Sequence, residues 1–261
     1  MSVRPAAVAG TFYPADPDEL ASQIEGYLGA IDATDATPPK AIIAPHAGTV
    51  YSGPIAASAY ARVAAARDRI TRVVLLGPAH RVFVSGLALP SVSRFRTPLG
   101  EIPLDEEGVA EVSALPNVTV NDDAHALEHS LEVHLPFLQR VLGTFSLLPL
   151  VVGRASPETV ARVLDATWGG DETLIVVSSD LSHFHDYETA RRIDRETSSA
   201  IERLDHGALD GERACGTHPV SGLLKTVARR GMAVRCIDLR NSGDTAGRKD
   251  RVVGYGSYVV H

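Results

Sequence analysis

The sequence predicts a single three-layer α/β domain over residues 1–261, with a largely parallel or mixed central sheet. Three observations point to it. Short apolar runs alternate with amphipathic stretches along most of the chain. Those runs are continuous rather than polar at every second position, as strands buried on both faces are. The one linker-like stretch, Asp32 to Pro39, comes too early to separate two domains.

Taken in order, Lys40–Ala44 reads as a strand and Pro54–Ala66 as an Ala-rich helix. Arg72–Leu76 is a second strand and Gly86–Leu89 a third, followed by a helix over Leu104–Ala114. Some part of Glu128–Leu142 is helical, and Ser146–Val152 is a strand. Ser156 caps the next helix, which runs to about Trp168 with Pro157 as its first residue. Thr173–Ser178 is a further buried strand. Asp186–Leu204 places Ala190, Ile193, Thr197, Ala200, Ile201 and Leu204 at helical spacing. A helix over His218–Arg230 precedes strand Ala233–Asp238, and Val252–Val260 is the last strand.

Composition narrows the function classes. Apolar residues make up 44% and charged residues 22% of the 261, as in ordinary globular proteins. No apolar run is long enough to span a bilayer, and residues 1–10 lack a secretory pattern. The formal charge of −7 argues against a general affinity for nucleic acid or anionic lipid. Arg191-Arg192 and Arg229-Arg230 sit among acids and read as solvated helix faces. Two cysteines, Cys215 and Cys236, make no disulfide scaffold, so the expected compartment is the reducing cytoplasm.

The ten histidines matter by their placement. In α/β sheets, ligands collect beyond the carboxyl ends of the strands. One strand there runs into Pro45-His46-Ala47-Gly48, a second into Gly77-Pro78-Ala79-His80, and a third into Ser178-Ser179-Asp180-Leu181-Ser182-His183. One such histidine would mean little, but three equivalent cases point to a shared site. Neutral imidazoles converging on a point are the commonest metal-binding arrangement. Cys215 is the best further ligand: it lies in a loop, with Thr217 able to cap a helix and Pro219 in its first turn. That position predicts a lowered thiol pKa. Cys236, inside a strand, reads as a small buried hydrophobe.

The other dense constellation is Glu128-His129-Ser130-Leu131-Glu132-Val133-His134-Leu135-Pro136. On a helix, His129 and Glu132 would share a flank. Pro136 belongs in a first helical turn, so part of the segment can equally be a loop reaching into the pocket. A helix start with acids at its positive end and one core histidine fits as well.

These residues resemble the Memo family, called AmmeMemoRadiSam system protein B in bacteria. The resemblance runs nearly end to end, from Arg4-Pro5-Ala6-Ala7-Val8-Ala9-Gly10-Thr11-Phe12-Tyr13-Pro14 through the histidine motifs above. It continues through Cys215-Gly216-Thr217-His218-Pro219, Asn241-Ser242-Gly243-Asp244 and Val253-Gly254-Tyr255. The family is similar in fold to the class III extradiol dioxygenases, which hold iron with two histidines and a glutamate. The resemblance implies His46, His80 and Cys215 as ligands of a divalent metal ion. Iron ranks first, with copper and zinc as alternatives, because a thiolate replaces the carboxylate. It also implies a link to radical-SAM system proteins.

Three functions follow. In a metal-dependent oxidoreductase acting on a small substrate, His183 moves protons, His129 or His134 assists, and Asp180 orients a histidine. A non-catalytic scaffold would bind a peptide or partner segment. A hydrolase would use Zn²⁺ with Glu132 as base.

Overall fold

The computed structural model describes residues 2–33 and 37–261, so part of the stretch Asp32 to Pro39 lies outside the described residues. In chain order the strands are β1 (Val3–Arg4), β2 (Ala41–Ala44), β3 (Arg72–Pro78), β4 (Leu87–Leu89), β5 (Arg94–Thr97) and β6 (Gly100–Pro103). They continue as β7 (Val118–Val120), β8 (Ser146–Val152), β9 (Thr173–Ser178), β10 (His183–His185), β11 (Val234–Asn241) and β12 (Val252–Val260). The helices are α1 (Pro17–Gly29), α2 (Thr49–Val63), α3 (Glu106–Ser113), α4 (Asp122–Ala126), α5 (Leu135–Val141), α6 (Pro157–Thr167), α7 (Tyr187–Glu202) and α8 (Thr217–Arg229).

Strands β2, β9, β3 and β8 lie side by side and parallel. Antiparallel β12 flanks β2, and antiparallel β4 flanks β8. The sheet is therefore mixed, built on a parallel centre. Each central strand is buried on both faces, and its side chains divide strictly between them. Ile42, Val73, Leu75, Leu147 and Val176 join one core with α1, α2 and α5. Ile43, Val74, Leu76, Leu148 and Val177 join the other with α6 and α8. Two helical layers enclosing one sheet are the three layers that the sequence predicts. A small second sheet, β1-β5-β6, closes one end of the first core.

Helix starts follow the capping chemistry. Ser156 Oγ accepts from the Thr159 amide, and Asp186 caps α7 in the same way. Sequence reading passed over α1, although Asp16 and Pro17 form a cap and first turn. It also passed over the β5–β6 hairpin. Helix α2 starts at Thr49, five residues before the expected Pro54, which lies inside it. The N–H that proline lacks would have met the carbonyl of Val50, a half-exposed residue in the first turn of the helix. The helix expected from Leu104 begins at Glu106, because Asp105 caps it and Leu104 is a core residue.

The consequence for the site is topological. β9 inserts between β2 and β3, so three carboxyl ends separated by up to about 130 residues open side by side. Since the sheet is continuous and both cores lean on it, calorimetry should show one unfolding transition; two separated transitions would contradict this.

Candidate metal centre

β2 delivers His46, β3 delivers His80, and the loop before α8 brings Cys215 against the end of β9. One ligand atom from each of these residues lies within 4.8 Å of the others. His46 is buried, Cys215 half-buried and His80 exposed, so the group is open on one side. His46 Nε2 stands 3.4 Å from Cys215 Sγ, and the two imidazole centroids are 5.1 Å apart. Gly216 is what permits the approach of Cys215. A Cβ there would lie 2.5 Å from the Ser178 carbonyl oxygen and the Ser179 Cβ.

The imidazole tautomers follow from the hydrogen bonds. Ser178 Oγ gives its single proton to the Ser130 carbonyl at 2.6 Å. It must then accept from His46 Nδ1 at 2.5 Å and from His134 Nε2 at 2.7 Å. His46 thus keeps its Nε2 lone pair for a cation. His134 Nδ1 in turn accepts from the Tyr60 hydroxyl at 2.8 Å. His80 gives its Nδ1 proton to Glu128 Oε1 at 2.8 Å, leaving its own Nε2 free. A carboxylate behind a histidine in this way fixes its orientation and raises its basicity. Two free imidazole lone pairs and a thiol converging on one point fit a divalent transition metal.

Charge states prepare the group. Burial, aided by His80 and His129, holds His46 well below the usual histidine range and therefore neutral. Burial alone would raise Glu128. The side-chain hydrogen bond and charge of His80, with amides of His80 and Ser130, outweigh it and hold the carboxyl down at about 2. The thiol contradicts the sequence expectation. Cys215 lies two residues before α8, yet burial and the nearby Asp180 push its pKa up. A metal must displace that proton, as coordinating thiolates do. Thr217 is no cap either: its hydroxyl donates to the Asp210 and Ala214 carbonyls.

The remaining predicted residues divide. Asp180 Oδ1 accepts from the His46 amide at 2.8 Å, and its own amide donates to Cys215 Sγ at 3.3 Å. His183 begins β10, half-buried, where the register with β12 slips between His183 and His185. Bulges of this kind re-aim side chains beside active sites. His129 stacks on His80 with centroids 4.6 Å apart and packs against Phe12. Its Nδ1 is buried without a hydrogen-bond partner.

Two expectations are corrected. Glu132 cannot serve as a base, because its carboxylate is saturated. Arg4 Nη1 pairs with it at 2.6 Å, the Ala7 and Val8 amides donate to it, and the Tyr13 hydroxyl donates at 2.5 Å. His134 has no free nitrogen for proton transfer, since Ser178 and Tyr60 occupy both. Both residues belong to a single 3₁₀ turn, Glu132–His134, and not to a regular helix. The functional residues that sequence reasoning missed are Glu128 and Ser178. Glu128 stands in the quoted motif, but its partner His80 is 48 positions away.

Comparison with known proteins gives the family. The model of a family described as Memo-like protein matches residues 4–259. This chain belongs to the Memo family. A MEMO1 family protein of Aquifex aeolicus is 37% identical over 98% of both chains. One of Aeropyrum pernix is 37% identical over the full length of both. A solved structure, an uncharacterised protein of Escherichia coli K12, aligns with a TM-score of 0.55 at 14% identity. It covers 84% of this chain and 98% of that one, a likeness of fold. Among the described residues of the Memo chain, no helix is long and apolar enough to cross a membrane.

Two outcomes follow for this Memo chain. Glu128→Gln should weaken metal affinity about 10–100-fold, read by competition with a chelator, because His80 loses its orienting acceptor. Burial depresses His125 and His134 to about 4 and about 3, against an ordinary 6.5. Above about pH 6.5 both are neutral whether folded or not. Below it the unfolded chain binds protons that the folded chain refuses. Stability should therefore fall by about 1.4 kcal/mol per pH unit for each histidine between about pH 6 and 4. Urea titrations across that range measure the slope.

Proposed function

We propose that this Memo-family protein is a metal-dependent oxidoreductase holding one redox-active divalent ion on His46, His80 and Cys215. Iron ranks first and copper second. The observation that carries this reading is the convergence of one ligand atom each from His46, His80 and Cys215 within 4.8 Å, with His46 Nε2 3.4 Å from the thiol and His80 exposed. Two imidazoles and one anionic sulfur leave coordination positions vacant, and a bound ion there supplies electron transfer and activation of oxygen.

The chain's own residues do the rest. Glu128 and Ser178 hold the two imidazoles in the tautomers that present Nε2. His183 moves the proton that oxygen chemistry requires, with the Asp180 carboxylate beside it. His129, stacked over His80 with its Nδ1 3.5 Å from Glu128 Oε1 and without a hydrogen bond, is the second group able to accept one. Asp180 additionally ties the His46 and Cys215 segments together. The hydrolytic alternative loses its support, because Glu132 is bound to Arg4 and the N-terminal amides.

Metal analysis of protein purified without air or chelator tests the ligand set. Cys215→Ser should lose most of its metal and Cys236→Ser should keep it; equal contents would sink the assignment. His183→Ala should retain metal while oxygen uptake with a catechol falls by about 10²–10⁴-fold. A His183→Ala protein as metal-free as His46→Ala would make His183 a ligand instead.

A further inference from the structure

The segment Asn241-Ser242-Gly243-Asp244 plays no part in the candidate metal centre. It borders a separate pocket of about 110 Å³ between α7 and β11, lined by Arg191, Asp194, Arg195, Arg240, Asn241 and Asp244 among others. Asn241 pairs with Gly254 across β11 and β12, so their Cβ positions share one face of the sheet. That face is turned toward α7, because a Cβ on Gly254 would collide with the Asp194 carboxylate. The Asn241 side chain is therefore directed at the wall that α7 supplies.

Two donors of this lining have no acceptor. Asn241 is 1% exposed, and its Nδ2 is buried without a hydrogen-bond partner. Flipping the amide would not help, because its Oδ1 accepts from the Gly243 amide at 2.9 Å. A buried donor left open in this way points to a water or ion that fills it. The charged groups leave the second donor. Asp194 turns inward and accepts from the Ser182 amide at 3.0 Å. Burial pushes its carboxyl up to about 6, opposed by Ser182 and His185 and by no arginine. Asp244 accepts from the Tyr187 hydroxyl at 2.5 Å and from the Asn241 amide at 3.0 Å. Arg240 forks onto Asp238, and Arg191 lies 3.4 Å from Glu188. Of the lining cations, only Arg195 has no carboxylate partner among the described residues. It stands one turn from Arg191 on the same flank of α7, where like charges repel.

Both open valences are donors, so the missing partner is an acceptor that carries negative charge. We propose that this pocket binds a phosphoryl oxyanion, held by the Arg195 guanidinium and the Asn241 amide, with Arg191 and Arg240 beside it. The donors come from the helix on one side and the strand on the other. A tetrahedral ion presents oxygens in both directions, whereas a carboxylate presents them in one plane. The volume is well under the roughly 300–1,000 Å³ of sites for drug-sized ligands, so it fits one small group. Arg191 and Arg195 are exposed, which opens the pocket on the helix side to a free ion or to the phosphate end of an ester. The site stands apart from the metal reading and does not rest on it.

The test uses the full chain stripped of metal by chelator, so that no phosphate binds through an ion. Titration calorimetry at fixed ionic strength compares inorganic phosphate, glycerol 3-phosphate and acetate. At least one phosphate should bind at millimolar concentration or below, and acetate at least about tenfold more weakly. Arg195→Gln should weaken phosphate at least about tenfold, because a charge-assisted bond is lost. Arg192→Gln removes a cation of the same helix that pairs with Glu196 outside the pocket, and should leave binding unchanged. Asn241→Asp keeps an acceptor for Gly243 but replaces the donor with an anion, so binding should vanish in a variant whose circular dichroism shows it folded. Glycerol 3-phosphate binding as tightly as the free ion supports the end of an ester as ligand; binding of the ion alone supports free phosphate. The proposal is overturned if neither phosphate binds at millimolar concentration or if acetate binds as tightly. Equal effects of Arg195→Gln and Arg192→Gln, or full binding by Asn241→Asp, overturn it as well.

Discussion

The edge that carries the candidate ligands depends on an ion pair that never touches it. Arg4 and Glu132 are 128 positions apart, 4% and 0% exposed, and bonded at 2.6 Å. A buried pair contributes little net attraction, but removing one partner leaves a charge stranded, at a cost of about 3–5 kcal/mol. Here every other valence is also filled. Arg4 donates to the carbonyls of His125 and Glu128, and Glu132 receives two amides and a phenol from residues 7–13. The N-terminal segment is thereby bolted to the segment that carries Glu128, His129 and Ser130. Both imidazole ligands take their orientation from it, His80 from Glu128 directly and His46 through Ser178 and the Ser130 carbonyl.

The electrostatics of the edge are those of a cation site held in reserve. Burial keeps His46 neutral, which is its ligating form. Glu128 stays ionised and accepts the Nδ1 proton of His80. Only the thiol is in the wrong state for binding, and it is the ligand whose proton an ion readily displaces. A protonated, sheltered thiol also resists oxidation better than an exposed thiolate.

What was legible in the sequence was whatever depends on neighbours along the chain. The buried runs gave the central strands. The pattern of a strand followed by histidine gave His46, His80 and the Asp180–His183 segment, because parallel strands present equivalent ends. What was not legible depends on partners far away. Glu132 looked like a base on a helix flank, but Arg4 decides its role. His134 looked available, but Tyr60 and Ser178 close off both nitrogens. Glu128 looked like an acid at a helix start, and only the pairing of β3 with its neighbours brings His80 to it. The Cys215 thiol shows the same limit. A nearby helix terminus suggests a low pKa, while burial and Asp180, invisible from the sequence, reverse it. The overlooked α1 is different in kind, since Asp16 and Pro17 carried a local signal.

The insertion of β9 between β2 and β3 sets the order of events when the chain is made. His46 and His80 emerge early, yet the strand that separates and aligns them emerges about a hundred residues later, and Cys215 later still. The last strand, β12, then pairs with β2 and with the segment bearing His183. No growing chain can bring the three candidate ligands together before β9 and the Cys215 loop have been made. Assembly of the candidate ligand group is therefore a late step of folding, and a truncated or stalled chain holds separate histidines in place of a converged group.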